Sequence, residues 1–230
     1  MPEHYSTPPM RPIRKKPRDR AQAKPPRLTL ASFGGASFIL VIFAYLTQGM
    51  LFWGITLWIP MAVKSIGFTG MGQAVGSALP YLAAVALAIP MAYISDKTGK
   101  RILIAALGML IPGVLLLLLP ALDNGYARLA LITLAMGYYA SSFTPNIWSI
   151  IQSNVQPHAI GAASGIVNGV GAGGGGTLAG LMVARIYTST GSYMSAFMVL
   201  GGLVVLGGLS LLLYGRIRRL HSLGMEVAKA

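Results

Sequence analysis

No cysteine occurs anywhere in the 230 residues, which excludes disulfides and thiolate metal sites. Charge is almost as scarce. Charged residues make up 10% of the chain and hydrophobic residues 54%, whereas soluble domains carry roughly 25% charged residues. A chain this poor in charge cannot cover itself with a surface that water tolerates, and it needs lipid as its solvent. Acidic residues number only five, and the three histidines (His4, His158 and His221) are scattered over tail and loop positions. With no paired carboxylates, HExxH or GxSxG, no catalytic residue, metal site or enzyme activity is expected. The string GAGGGG matches a dinucleotide fingerprint literally, but no strand precedes it, and no cofactor is expected.

What the chain does have is long stretches without charge. Residues 28–63, 65–95, 102–122, 129–184 and 186–215 are free of Asp, Glu, Lys and Arg, and a membrane helix needs about 20 such residues. The fourth run is long enough for two helices, with QSNVQPH (Gln152 to His158) as the polar break. The pattern predicts an all-α membrane protein of six transmembrane helices, at about 35–63, 71–94, 102–122, 129–150, 159–185 and 194–215. The connecting loops carry the glycine, proline and Asx/Ser chemistry of turns. Twenty-nine glycines suit the same solvent, because glycine is more frequent in membrane helices than in soluble ones.

Residues 1–30 read as a disordered basic arm, 31–215 as the membrane domain and 216–230 as a tail. The net charge of +13 would suit nucleic acid in a soluble protein, but eight of the eighteen Lys and Arg residues precede the first apolar run. No nucleic-acid partner is expected. The arm is either a solvated tail or an element drawn to anionic lipid headgroups, and its length makes a poor signal peptide. With the amino terminus inside, fifteen of the basic residues lie on the inner side; Lys64, Arg128 and Arg185 lie outside. Positive residues stay on the cytoplasmic side, so both termini are expected to be cytoplasmic.

The helices differ in polarity. The third and sixth are almost wholly aliphatic and are expected to face lipid. The first and fourth carry hydrogen-bonding and aromatic groups: Tyr45, Gln48, Trp53 and Thr56 in one, Tyr138, Tyr139, Ser142 and Asn146 in the other. Polar groups in hydrocarbon need a partner or a watery cavity. These faces therefore either line a shared aqueous substrate pathway or form interhelical hydrogen bonds and interfacial aromatic belts. In the fifth helix Gly161, Gly165, Gly169 and Gly173 recur at every fourth position. Such a row lets helices approach closely, and the run Gly173 to Gly176 marks a place for a bend.

Between the second and third helices stands AYISDKTGKR. Asp96, Lys97, Gly99, Lys100 and Arg101 resemble the cytoplasmic loop motif of the major facilitator superfamily, with Ala92 where that pattern has glycine; a helix cap with inner-side anchors would use the same charges. The stretch from LFWGITLWIP to DKTGKR is similar to helices 7 and 8 of the superfamily's organic anion:cation symporter branch. GAASGIVNGVGAGGGGTLAG with TSTGSYMSAF is similar to helix 11 and the start of helix 12. The resemblance implies the C-terminal six-helix half of a secondary transporter in a bacterial inner membrane, working by alternating access with substrate held between two halves. It further implies a small-molecule substrate, a carboxylate, with a proton or sodium as coupling ion, and Asp96–Arg101 as a gating loop. The partner would be a missing N-terminal half or a second copy. No ionisable residue lies in the middle of a helix, so an anion clamp or proton carrier is expected on the other half. Three possibilities stay open: a fragment of a longer transporter, a half-size transporter that pairs, and a six-helix membrane subunit that does not transport.

Overall fold

The computed structural model of the chain describes residues 27–227. Most of the basic arm (residues 1–26) and residues 228–230 lie outside the described residues. All regular structure among the described residues is helical.

The first expected helix is two. α1 (Phe38–Thr56) and α2 (Ile59–Ser65) are separated at Leu57 and Trp58. Pro60 sits in the first turn of α2, where a missing N–H costs nothing, whereas inside a continuous helix it would remove a bond. α3 (Gly70–Thr98) runs through Pro80 and Pro90 and stops at Gly99, whose φ of 64° is left-handed. The Gly99 N–H donates to the Ser95 carbonyl at 2.9 Å, closing the last turn as a C-terminal glycine does. α4 (Arg101–Leu117) follows at once. α5 (Gly125–Asn154) begins behind Asn124, whose side chain accepts from the N–H groups of Tyr126 (2.8 Å) and Ala127 (3.3 Å), satisfying two donors that a helix start leaves orphaned.

The fifth expected helix is continuous but not uniform. α6 (Ile160–Val167) passes into a π-helical segment, Asn168–Gly174, and then into α7 (Gly175–Thr190). The widened turn lies slightly ahead of the anticipated bend, in a stretch where glycine weakens the ordinary helix. α8 (Tyr193–Val227) continues for 35 residues, well past the expected end at residue 215.

Five of these helical stretches are long and apolar enough to cross a membrane: Phe38–Thr56, Gly70–Thr98, Arg101–Ala121, Pro157–Thr190 and Tyr193–Leu223. α5 matches them in length at 30 residues, but its tyrosines, serines and Asn146 dilute its apolar character.

The helices pack as an arc: α3 against α5, α5 against α4, α4 against α8, α8 against α1, and α1 against the π segment and α7. The ends of the arc are the most open, with 17% of the most apolar stretch buried in α3 and 28% in the α6–α7 span, against 50–61% in α1, α4 and α8. The expectation that α4 and α8 simply face lipid is corrected here. They pack on each other through glycines: a Cβ on Gly201 would come within 2.7 Å of the Gly113 carbonyl oxygen, and one on Gly208 within 3.1 Å of that of Ala106. Aliphatic side chains are equally at ease against lipid and protein, so an apolar helix keeps one strip for each.

Candidate functional site

α1 and α5 meet through side chains rather than backbones. The Gln48 amide donates to the Tyr139 hydroxyl, and both residues are buried. Tyr45, one turn from Gln48, sits edge-on to Trp148 with ring centres 5.7 Å apart and also contacts the Phe143 ring at 6.1 Å. Its hydroxyl donates to Asn168 Oδ1 at 3.3 Å. Tyr139 stacks on Phe143 at 5.9 Å.

Farther along α5, Asn146 accepts from the Ser95 hydroxyl and donates to the Ser142 carbonyl at 2.7 Å. The result is a polar column through an otherwise apolar bundle, formed by α1, α5, α3 and the π segment. Three buried oxygens of the expected pathway residues have no partner among the described residues: Gln48 Oε1, Ser142 Oγ and Thr56 Oγ1. An unpaired polar atom in a low-dielectric interior is costly, and these atoms retain hydrogen-bonding capacity that the helices themselves do not use.

Of the eight residues read as a pathway, the structure joins Tyr45, Gln48, Tyr139, Ser142 and Asn146. Thr56 lies two turns beyond Gln48, about 12 Å along the axis. Tyr138 is half-buried, next to the column but on a different face of α5. Trp53 is directed elsewhere: it is partly exposed and covers Gly176, where a Cβ would fall 2.9 Å from its Cδ1. Sequence reasoning missed Ser95 and Asn168. Asn168 was discoverable as the one amide side chain in the glycine-rich span.

The loop after α3 adjoins the same column. Arg101 donates to the Ser149 hydroxyl and lies 3.5 Å from the Asp96 carboxylate. That ion pair, between the end of α3 and the start of α4, is largely exposed, so it contributes little to stability; the Arg101–Ser149 hydrogen bond ties the start of α4 to α5. Lys97 lies over the Tyr93 ring at 5.7 Å. A cleft of about 160 Å³ opens among Ala92, Ser95, Asp96, Arg101, Asn146 and Ser149. Of the five loop residues, Asp96 and Arg101 border this cleft, while Gly99 and Lys100 line a separate one.

The glycine row is corrected within this chain. A Cβ on Gly161, Gly165, Gly169 or Gly173 would meet nothing within 4 Å among the described residues. The packed row is Ala159, Ala163, Val167, Gly171, Gly175, Ala179 and Val183, all buried. At Gly175 a Cβ would stand 2.7 Å from the Leu46 carbonyl oxygen. The two rows are offset by two residues, about 200° around a helix, so burying one exposes the other. Among the described residues no cluster of three or more metal-ligating side chains occurs.

A family model described as the Major Facilitator Superfamily matches residues 5–180. The inner membrane transport protein RhmT of Escherichia coli (strain K12) is 30% identical over 185 residues, covering 80% of this chain and 42% of that protein. A putative tartrate transporter of Agrobacterium vitis is 24% identical over 196 residues, covering 85% of this chain and 45% of that protein. The chain thus spans less than half the length of the curated relatives it matches, and those relatives are transporters rather than enzymes.

Proposed function

This chain belongs to the major facilitator superfamily, and on that premise we propose that it forms one six-helix half of a secondary transporter for small organic anions. It is a multi-pass integral membrane protein. α5 supplies the sixth crossing in this reading, and both termini face the cytoplasm, with residues 1–30 as an arm, 31–215 as the membrane unit and 216–230 as a tail. The observation that carries the reading is the column of Tyr45, Gln48, Tyr139, Ser142 and Asn146, which holds unpaired buried oxygens at Gln48 and Ser142 in an apolar bundle.

A substrate hydroxyl would donate to Gln48 Oε1, and a substrate carboxylate would accept from the Ser142 hydroxyl, as the pathway opens. The column is neutral, so the counter-charge for an anion, and the group that carries a coupled proton or sodium ion, belong to a second six-helix unit. The open ends of the arc, α3 and the α6–α7 span, are the surfaces such a unit would cover. The name of one relative, a putative tartrate transporter, supports a carboxylate substrate. In alternating access the Asp96–Arg101–Ser149 ties would hold the inner end of α5 closed and release it as the halves rock.

The test is uptake by source cells with and without the gene, using a panel of labelled hydroxycarboxylates and neutral solutes. Deletion should lower uptake of at least one carboxylate, and a restored copy carrying Gln48→Leu should fail to recover it. Unchanged uptake across the carboxylates would defeat the reading.

A further inference from the structure

A second cleft, of about 280 Å³, lies between the start of α4 and the end of α5, bordered by Lys100, Arg101, Leu103, Ile150, Ser153 and Asn154. Its two cations are not equivalent. Arg101 is engaged with Asp96 and Ser149. Lys100 is exposed, and the Asp96–Arg101 contact is the one ion pair among the described residues, leaving the Lys100 ammonium without a counter-charge there.

α8 brings a second such cation to the same end. Gly215 faces Ile102, whose Cγ2 would lie 2.9 Å from a Cβ at that position. Arg219 follows four residues later on the same face, about 6 Å farther along the axis. That places it beside the α4 start, and it is exposed.

An apolar strip runs from this cationic end along α4. Leu103, Ile111, Val114, Leu117 and Leu118 are each 40–50% exposed. Their spacings of three, four, seven and eight residues keep them on one face of the helix. From Leu103 to Val114 the strip is about 16 Å long, roughly half of a hydrocarbon core about 30 Å thick, which is the depth of one leaflet. Two exposed cations at one end of the bundle, continuous with an apolar strip one leaflet deep, are the shape and charge of a phospholipid's complement.

We infer that the start of α4, flanked by the end of α8, and the α4 strip form a binding site for one anionic phospholipid, its phosphate held by Lys100 and Arg219 and an acyl chain laid along Leu103 to Val114. Basic pockets at the ends of membrane helices take anionic headgroups. This site is separate from the polar column and stands or falls without the transport reading.

The test is native mass spectrometry of the full chain purified in detergent and delipidated, then titrated with phosphatidylglycerol or with phosphatidylcholine of the same acyl chains. One equivalent of phosphatidylglycerol should bind about tenfold more tightly than phosphatidylcholine. The variant K100Q/R219Q should lose that preference and K100R/R219K should keep it, which separates lost charge from lost folding. Leu103→Ser with Val114→Ser should weaken both lipids while leaving the preference in place. Excess inorganic phosphate should displace neither. Equal binding of the two lipids, a preference that survives K100Q/R219Q, or displacement by inorganic phosphate as at a free-anion pocket would each overturn the assignment.

Discussion

Gln48 and Tyr139 show how a pair of side chains can outweigh the helices that carry them. Few backbone positions of α1 and α5 come close, yet the amide and the phenol join the two elements. Replacing one partner strands the other in a buried site. Gln48→Leu or Tyr139→Phe alone should each lower stability by about 0.5–2 kcal/mol, the range for polar contacts inside membrane bundles. The double variant should cost less than the sum, because no orphan remains. Thermal unfolding of the purified chain in detergent, with both single variants and the pair, measures this coupling. Strict additivity would mean that the contact carries no energy of its own.

At the scale of the element, the α6–α7 span separates packing from exposure by two residues. Gly175 faces backbone atoms of α1, with the Leu46 carbonyl oxygen 2.7 Å and the Met50 nitrogen 2.9 Å from an added Cβ. Backbone cannot step aside as a side-chain tip can, so Gly175→Ala should destabilise the chain by about 1–3 kcal/mol. Gly165 meets nothing within 4 Å. There the same substitution should be neutral, or stabilising by up to about 1 kcal/mol through helix propensity. The same unfolding assay compares them directly. Should Gly165→Ala impair uptake in cells while leaving the purified chain as stable as before, the exposed row is covered by a second unit, as proposed.

For the whole molecule, the decisive element is α5. It stands between α3 and α4 in the arc, yet it is the long helix least apolar in composition. If it crosses the bilayer, Asp123 before it and His158 after it lie on opposite faces. Because the chain has no cysteine, Asp123→Cys and His158→Cys each give a single reporter. An impermeant thiol reagent added to intact cells should label Asp123→Cys and leave His158→Cys untouched until the membrane is permeabilised. Labelling of both from outside would remove the sixth crossing and, with it, the cytoplasmic placement of both termini.

The linear chain alone determined the solvent and the elements. Apolar runs of membrane length, scarce charge and turn residues such as Gly99 and Asn124 are local properties, and each led to a helix, a cap or a break close to where it was expected. The polar faces of α1 and α5 were legible for the same reason, since a polar side chain in an apolar run stands out without any knowledge of its neighbours. Partnership was not legible. Ser95 and Asn168 joined the column, Trp53 left it to cover Gly176, and the small-residue row buried within this chain lies two residues away from the glycine row. Nothing in one helix says which of two small-residue faces will be covered, or whether an aliphatic face meets lipid or another helix, because hydrocarbon packs equally well against either. Those choices depend on which elements become neighbours, and only the tertiary structure decides that.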